Sequence, residues 1–278
     1  MRTIWPWQDR SQRFSWLKAI TLALLFGPGL WLLYSTATGE FGLTPLGELT
    51  FWSGIWSIAI LLLALLITPL ATIFRFSRLI IVRRMIGVTA LIYTLAHILI
   101  YFALRFWNFA VIGKEMVTSV SLVAATISTI GLIALGATSL DTAIQRMGTK
   151  SWNRLHNLIY VITGLALMHF LIVPEMYAEQ YIACGAFFWL MVWRLLNRRG
   201  RGTDARTLAM LAFVACLFTA SLEAGWGWAY YGYEPVGTLV NNFSLILGVS
   251  PAWKILVLGL LIAVAKCWQT FRAREVFP

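Results

Sequence analysis

Eight long apolar runs dominate this sequence and set its architecture. They occupy residues 16–34, 51–73, 85–104, 116–138, 155–173, 178–196, 207–222 and 252–271. A transmembrane helix needs about 20 mostly apolar residues. Charged residues make up only 12% of the chain, against about 25% in an average soluble domain. The runs therefore predict an all-α fold, a polytopic transmembrane helical bundle of eight helices, and they exclude a water-soluble enzyme.

The first apolar run and the segment between the last two runs predict further local structure. The first run is longer than the apolar segment of a signal peptide, which has about 7–15 residues, so we expect a retained helix. Its Gly27-Pro28-Gly29 predicts a kink rather than an end. The segment from Gly225 to Gly248 is rich in Gly, Trp and Tyr, which is typical of an interfacial loop.

One domain boundary is expected in the arginine- and glycine-rich segment from Asn197 to Arg206. It separates residues 1–196, a core of six helices, from residues 207–271, an additional pair of C-terminal transmembrane helices. No soluble domain follows this pair in the sequence.

Basic residues predict how the bundle is oriented. With the N-terminus inside and the runs alternating, only Arg105, Lys114 and Lys254 of the 22 Lys and Arg residues fall outside. Cytoplasmic loops accumulate Lys and Arg, so both termini are expected in the cytoplasm. The net charge of +11 therefore orients the chain among membrane lipids. Nothing in the sequence resembles a module that reads nucleic acid.

The three histidines of the chain all fall in the third and fifth predicted helices. His97 lies 13 residues after Arg84, and His169 lies 15 residues after Arg154. At about 1.5 Å per residue, both imidazoles lie about 20 Å from the inner boundary of the membrane. Two histidines that face each other from different helices are what a b-type haem needs as axial iron ligands. The alternative is that each neutral imidazole only makes hydrogen bonds between helices.

His156 cannot share that site, because it lies 13 residues before His169, or about 20 Å along a helix. It is expected near the inner surface, where it either ligates a second haem or exposes its polar edge to water. A straight helix would not aim both histidines in one direction. We therefore expect a bend near Gly164, a local bulge or an irregular start near Asn153.

Three arginines are predicted to surround His156. Arg83, Arg84 and Arg154 form with it a cationic cluster suited to a flavin phosphate, a quinone headgroup or haem propionates. The alternative is that these arginines orient the chain and contact lipid phosphates.

Several short motifs resemble a known family. They are SGIW at 53–56, ITPL at 67–70, RRMIG at 83–87, TSLD at 138–141, RMG at 146–148 and WNRLHNLIY at 152–160. In this order, and with His97 and His169, they resemble the haem-binding membrane subunit of the bacterial protein-methionine-sulfoxide reductase system. This is the MsrQ or YedZ family, which belongs to the ferric-reductase-like transmembrane proteins. The resemblance covers roughly residues 40–196.

The resemblance implies one or two b-type haems, with His97 and His169 as axial iron ligands and His156 as a further haem-binding position. It also implies an arginine-lined cytoplasmic site for FMN or a quinone, formed by Arg83, Arg84 and Arg154. The expected location is the bacterial inner (plasma) membrane. The expected electron acceptor is a periplasmic molybdopterin subunit that reduces methionine sulfoxide in oxidised proteins. The seventh and eighth helices have no counterpart in that family.

Absent motifs restrict the chemistry. No GxGxxG motif follows a strand, so electrons are expected from a separate donor, either a cytoplasmic flavin reductase or the quinol pool. No Ser/His/Asp set or carboxylate pair supports hydrolysis, so no catalytic residue is assigned to this oxidoreductase subunit. The alternatives are a terminal ferric or metal reductase and, in a different class, a transporter or assembly factor with structural histidines.

Overall fold

The computed structural model describes residues 5–8, 11–173, 178–246 and 248–276, with side chains as far as residue 272. Arg2, Asp9, Arg10 and Glu175, which enter the predicted charge distribution, lie outside the described residues, as do the side chains of Arg274 and Glu275. The described residues form these α-helices: α1 Trp16–Ala37, α2 Pro45–Ile73, α3 Ile80–Leu104, α4 Phe109–Thr118, α5 Val120–Ala137, α6 Asp141–Met147, α7 Thr149–His156, α8 Ile159–Ile172, α9 Ala178–Arg198, α10 Ala205–Tyr231, α11 Pro235–Phe243 and α12 Pro251–Val276. No β-strand occurs in this part of the chain, which confirms the all-α prediction.

Seven helical segments in the described part of the chain are long and apolar enough to cross a membrane. They are Trp16–Ala37, Pro45–Ile73, Ser77–Leu104, Val120–Ala137, Thr149–Ile172, Ala205–Tyr231 and Pro251–Arg272. The remaining predicted span, 178–196, forms helix α9 but is not among them. Glu179, Gln180 and Arg194 lower its hydropathy. The predicted side of the C-terminus depends on whether α9 crosses the membrane, and it stays a prediction.

Two compact units divide the chain. One comprises Met1–Ala64 and Leu79–Ile172, and the other comprises Leu65–Arg78 and Val173–Pro278. All three histidines belong to the first unit. The division into a core of residues 1–196 and an added pair at 207–271 stays a prediction.

In the first unit, α5 packs closely against α8. The Ser128 hydroxyl donates to the Ile162 carbonyl over 3.1 Å, and a Cβ atom on Gly131 would lie 2.7 Å from the Ile162 side chain. Small residues let membrane helices approach to backbone contact. Gly131 is therefore required for the distance between α5 and α8, the helix that carries His169.

Pro28 lies within α1, and the helix continues through it, as the sequence predicts. The phenol of Tyr93 on α3 is inserted at this point. Its oxygen accepts from the Gly29 N–H over 2.7 Å and donates to the Leu25 carbonyl over 2.8 Å. In a regular helix those two backbone groups would bond to each other. Tyr93 therefore satisfies the backbone at the proline and joins α1 to α3.

The fifth predicted span is interrupted. Helix α7 ends at His156 and α8 begins at Ile159, so Asn157 and Leu158 break the helix between His156 and His169. The break is a local irregularity of the kind expected from the spacing of the two histidines, and it lies between the two positions proposed for it. His156 and His169 consequently lie on two different helices.

The second unit contains the C-terminal part of α2, from Leu65, together with α9, α10, α11 and α12. Its buried cluster joins α10 to α12 and consists mostly of small residues, namely Ala212, Cys216, Ala220 and Ala252, together with Leu256. Helix α10 runs to Tyr231, and α11 follows over Pro235–Phe243. The loop predicted from Gly225 to Gly248 is therefore wrong in large part, because its aromatic residues, except Tyr233, lie on these helices.

Asp204 is the N-cap of α10 and supplies a prediction of stability. Its carboxylate accepts from the backbone N–H and the hydroxyl of Thr207, over 2.8 and 2.9 Å. These bonds lower the pKa of Asp204. The cap therefore stabilises α10 fully above the ordinary aspartate pKa of about 3.9, and this contribution is lost as the pH falls through the lowered value.

We expect Asp204→Ala to destabilise the start of α10 by about 0.5–2 kcal/mol near neutral pH. Hydrogen exchange of the amides at the start of α10 measures the effect. Asp204→Asn keeps the cap without a titrating group, so its exchange should not change between pH 3 and 6 beyond the intrinsic rate. Equal exchange in wild-type and Asp204→Ala protein would contradict the capping role.

Candidate functional site

His97 lies near the C-terminal end of α3 and packs against the N-terminal part of α2. Its Nδ1 atom lies 2.9 Å from the Thr50 carbonyl oxygen and 3.1 Å from the Ser53 hydroxyl. A Cβ atom on Gly54 would lie 3.1 Å from the Cε1 atom of the ring. The absence of a side chain at Gly54 therefore lets the imidazole lie directly on the backbone of α2.

His169 lies near the C-terminal end of α8 and is held in the same manner by α5. Its Nδ1 atom lies 2.8 Å from the Ser121 hydroxyl and 3.2 Å from the Ser121 carbonyl oxygen. The same hydroxyl donates to the His169 carbonyl over 3.2 Å. Each of the two histidines is thus fixed by one serine and one backbone carbonyl from a neighbouring helix.

These partners determine which ring nitrogen carries the proton. The Ser53 hydroxyl donates its proton to the Thr50 carbonyl over 2.9 Å, and the Ser121 hydroxyl donates to the His169 carbonyl. Both serine oxygens, like the carbonyls, can then only accept from Nδ1. The hydrogen-bond network therefore assigns the proton to Nδ1 in each ring and leaves Nε2 with a free lone pair.

A free Nε2 lone pair is what a metal-ligating histidine presents. Neither Nε2 atom has a hydrogen-bond partner among the described residues, and the two rings are close enough to interact electrostatically. The described residues hold no group of three or more His, Cys, Asp or Glu that could bind a metal ion. An iron bound here would have to bring its other ligands with it, as the porphyrin of a haem does.

His156 has different surroundings. Its ring stacks on Trp152, with centroids 3.9 Å apart, and its Nε2 atom lies 3.2 Å from the Thr138 hydroxyl. The Trp152 indole N–H donates to the Thr138 carbonyl over 2.8 Å. Nδ1 is therefore the nitrogen of His156 that is left for a ligand.

The three arginines are placed differently from one another. Arg83 and Arg84 lie within electrostatic range of His156, whereas Arg154 is exposed on α7. Arg84 Nη1 forms an ion pair with Asp141 Oδ1 over 2.7 Å, and both side chains are about half exposed. Arg84 is therefore already paired, and the sequence reasoning missed this partner because it is far along the chain.

The sequence analysis also missed the residues that hold the rings. Thr50, Ser53, Gly54 and Ser121 were not identified as site residues, although Ser53 and Gly54 belong to the SGIW motif. A small polar residue on the helix opposite a membrane histidine is the only signal available. It does not indicate which serine faces which ring.

A second polar cluster lies just beyond His97 at the end of α3. Arg105 Nε is 3.1 Å from Glu115 Oε2, and the Tyr101 hydroxyl donates to the same carboxylate. Hydrogen bonding to Tyr101, together with the charge of Glu115, raises the pKa of Arg105. The cluster therefore fixes α4 to the end of α3 with Arg105 permanently charged.

Residues 53–167 match the family described as "Ferric reductase like transmembrane component". The matched range begins at Ser53, which contacts His97, and ends just before His169. Over that range the chain is similar to the ferric-reductase-like class, and its candidate membrane spans support a multi-pass membrane protein.

Curated relatives narrow the class to one family. Three of them carry the name "Protein-methionine-sulfoxide reductase heme-binding subunit MsrQ". The protein from Caulobacter vibrioides is 32% identical over 184 residues, which are 66% of this chain and 87% of that protein. The protein from Cronobacter sakazakii is 30% identical over 193 residues, 68% and 96% of the two chains. The protein from Agrobacterium fabrum is 36% identical over 149 residues, 53% and 68% of the two chains.

The chain belongs to the MsrQ family of heme-binding subunits. No solved structure matches it significantly.

Proposed function

We propose that this chain is a membrane electron-transfer subunit that holds b-type haem between His97 and His169. Electrons enter from a cytoplasmic flavin reductase or from quinol and leave for a periplasmic molybdopterin reductase of methionine sulfoxide. Haem supplies the one-electron chemistry. The protein residues hold the ligands and exclude water, and none of them acts as a catalytic acid, base or nucleophile.

One observation carries the proposal: both imidazoles donate from Nδ1 and leave Nε2 free. A histidine with a purely structural role has no reason to leave the same nitrogen unpaired in two helices. The serine and carbonyl acceptors orient each ring and increase the basicity of Nε2, as outer hydrogen-bond partners of metal ligands do. The names of the relatives, as heme-binding subunits, support the same cofactor.

For the cytoplasmic side of the membrane, the proposal rests on four residues: His156, Arg83, Arg84 and Arg154. His156 is proposed as the ligand of a second, inner haem through Nδ1, because Nε2 faces Thr138. The arginines are proposed to bind the phosphate of FMN, a quinone headgroup or haem propionates. Arg83 is the strongest candidate among them, since Arg84 is paired with Asp141 and Arg154 is exposed.

A reduced minus oxidised absorption spectrum of the purified protein tests the proposal. We expect the α-band of a low-spin b-type haem, because two imidazoles would coordinate the iron. A preparation that folds and binds no haem would overturn the proposal. That result would also favour the alternative of a transporter or assembly factor, in which the histidines only form hydrogen bonds between helices.

A terminal metal reductase is the second candidate, and the match to a ferric-reductase-like component favours it. The two candidates differ in the acceptor. A terminal reductase reduces ferric or cupric chelates at a high rate with only an electron donor present. The subunit needs a protein acceptor, and its haem stays reduced when chelates are the only oxidants offered.

Ser121→Ala is expected to keep the haem, because the Ser121 carbonyl still accepts from His169 Nδ1, and to raise its reduction potential. The Ser121 hydroxyl accepts from His169 Nδ1 and thereby increases the electron donation of Nε2 to ferric iron. Loss of one hydrogen bond is worth at most about 1.5 kcal/mol, which is below roughly 65 mV for a one-electron couple. A redox titration measures the shift.

Ser128→Ala is the control, because Ser128 bonds to the Ile162 carbonyl on the same helix pair. A potential that is unchanged in Ser121→Ala, or shifted equally in both variants, would contradict the role of Ser121.

A further inference from the structure

An open pocket of about 360 Å³ lies where α1 ends and α2 begins, in the unit that contains the histidines. We call it the α1–α2 cage. It is lined by Trp31, Ser35, Glu40, Phe41, Gly42, Glu48 and Trp52. The predicted topology places this end of the two helices on the outer side of the membrane. The electron-transfer function proposed above does not use the cage.

Aromatic rings form the apolar part of the cage. The ring of Trp31 lies 5.2 Å from that of Trp52, at 85°, and 6.0 Å from that of Phe41, at 86°. Rings set at right angles present faces in more than one direction. Faces of Trp and Phe attract a cation within about 6 Å.

Carboxylates form the polar part. Glu40 Oε2 accepts from the Ser35 hydroxyl over 2.6 Å, and Ser35 is fully buried. This bond directs the Glu40 carboxylate into the cage. Within the described part of the chain, neither Glu40 nor Glu48 has a cationic partner. Two carboxylates and the aromatic side chains of Trp31, Phe41 and Trp52 line one pocket, a composition that suits an ammonium or guanidinium group.

The cage is joined to the candidate haem site through α2. Glu48 and Trp52 line the cage, while Thr50, Ser53 and Gly54 hold His97. These residues lie within seven consecutive positions of one helix, 48–54, which extend about 9 Å along its axis. A group bound in the cage is therefore held within about two helical turns, measured along α2, of the residues that contact His97.

We propose that the α1–α2 cage receives a lysine or arginine side chain of the protein that accepts electrons. The inference rests on the proposed function, and it adds the docking site and the chemistry of the partner. The bound cation holds the acceptor close to the His97 end of the haem. A haem held by His97 and His169 would supply one electron to the redox centre of the acceptor, so that the haem is oxidised as the acceptor is reduced. No bond or proton changes in the cage.

A lipid ammonium group is the competing occupant. The headgroup of phosphatidylethanolamine carries a phosphate beside its ammonium. Two unpaired carboxylates around the cavity repel that phosphate. A lysine or arginine side chain brings a cation with no attached anion, so the charges of the cage favour a protein.

Calorimetric titration of the purified protein with arginine amide measures binding of this cation to the cage. The measurement does not require the protein to contain haem. We expect binding that Glu48→Gln weakens about tenfold, because a charge-assisted hydrogen bond is lost. Trp31→Leu should weaken it severalfold, because an aromatic face is lost. Glu179→Gln removes the same charge from the first turn of α9, at a residue that does not line the cage, and should bind as wild type does. Glycerophosphoethanolamine tests the lipid headgroup and should bind much more weakly than arginine amide.

A stopped-flow experiment then tests docking. The haem protein is reduced and mixed with ferricytochrome c, a basic acceptor, or with ferricyanide, a small anionic one. Glu40→Gln with Glu48→Gln should slow oxidation by cytochrome c at least tenfold at low salt, because electrostatic attraction speeds such encounters. Arginine amide should inhibit this reaction in the wild type. Oxidation by ferricyanide should not become slower in the variant.

The outcomes separate this proposal from the function itself. Equal binding of arginine amide by wild type and Glu48→Gln overturns the cage as a cation site. Tighter binding of glycerophosphoethanolamine assigns the cage to lipid and overturns the docking role. The same cytochrome c rate and salt dependence in wild type and variant also overturn docking. If the purified protein binds no haem, the proposed electron-transfer function is overturned. The calorimetric result still decides whether the cage binds the cation.

Discussion

Alanine at His97 or at His169 is expected to remove the low-spin haem spectrum held by these two residues. Each variant leaves one imidazole, so the iron loses one of its two axial ligands. Loss of an outer hydrogen-bond partner alone typically costs 10–100-fold in metal affinity, and loss of the ligand itself should cost more. We expect haem content to fall at least tenfold at this site, with any remaining haem in a high-spin state.

A pyridine haemochrome assay per polypeptide measures haem content, and size-exclusion chromatography in detergent shows whether each variant folds. His156→Ala is the matched control, since it removes an imidazole that stacks on Trp152 away from this pair. It should keep the spectrum of the His97 and His169 haem. If the protein also holds an inner haem, His156→Ala should lose only that haem.

A chemical rescue separates ligation from a packing role. His97→Gly leaves a space the size of the lost side chain, and free imidazole can enter it and coordinate the iron. We expect imidazole at millimolar concentration to restore the low-spin spectrum in this variant. Wild-type haem content in both His97→Ala and His169→Ala would show that other residues ligate the iron.

The sequence predicted the helices well because hydropathy is a property of each segment by itself. Seven of the eight predicted spans appear as helical candidates for membrane spans in the described chain. Segment 178–196 forms a helix as predicted but is not a candidate span, because it carries polar residues such as Gln180, which is buried within the protein. The lengths of α10 and α11 were missed because aromatic residues suit an interfacial loop and a helix end equally well.

The candidate site was predictable only in part. Residue counting gave the shared level of His97 and His169, and the structure brings their rings into electrostatic range. Residue counting could not predict the orientation of the two rings, because their partners Thr50 and Ser121 lie on other helices, more than 40 residues away in sequence. Hydrogen bonds between helices depend on helix rotation, which hydropathy does not determine. The pairing of Arg84 with Asp141 was missed for the same reason.

Gly54→Val is expected to displace the His97 imidazole and to reduce haem binding strongly. A Cβ atom at this position would lie 3.1 Å from Cε1 and 3.3 Å from Nδ1 of the ring, which is closer than ordinary van der Waals contact. The two further methyl groups of valine need space that the ring now occupies. The ring must therefore move away from α2 and lose its bonds to the Thr50 carbonyl and the Ser53 hydroxyl.

The consequence follows from the role of those two acceptors. Without them, Nδ1 is no longer fixed as the protonated nitrogen, and Nε2 is no longer aimed in a fixed direction. We expect haem content to fall about tenfold or more, with a redox potential in the remainder that differs from wild type. Gly54→Ala should give a smaller loss, because a single methyl group requires a ring movement of only a few tenths of an ångström.

Gly87→Val is the matched control, because Gly87 also lies within a membrane helix but a Cβ atom there meets nothing within 4 Å. Both variants carry the same cost of a β-branched residue in a helix, so the difference between them isolates the contact with His97. Equal haem content in the two variants, measured on monodisperse protein, would mean that the close approach of His97 to α2 is not needed for ligation. A loss confined to Gly54→Val would place the requirement on the ring position, since the serine and carbonyl acceptors remain in the chain unchanged.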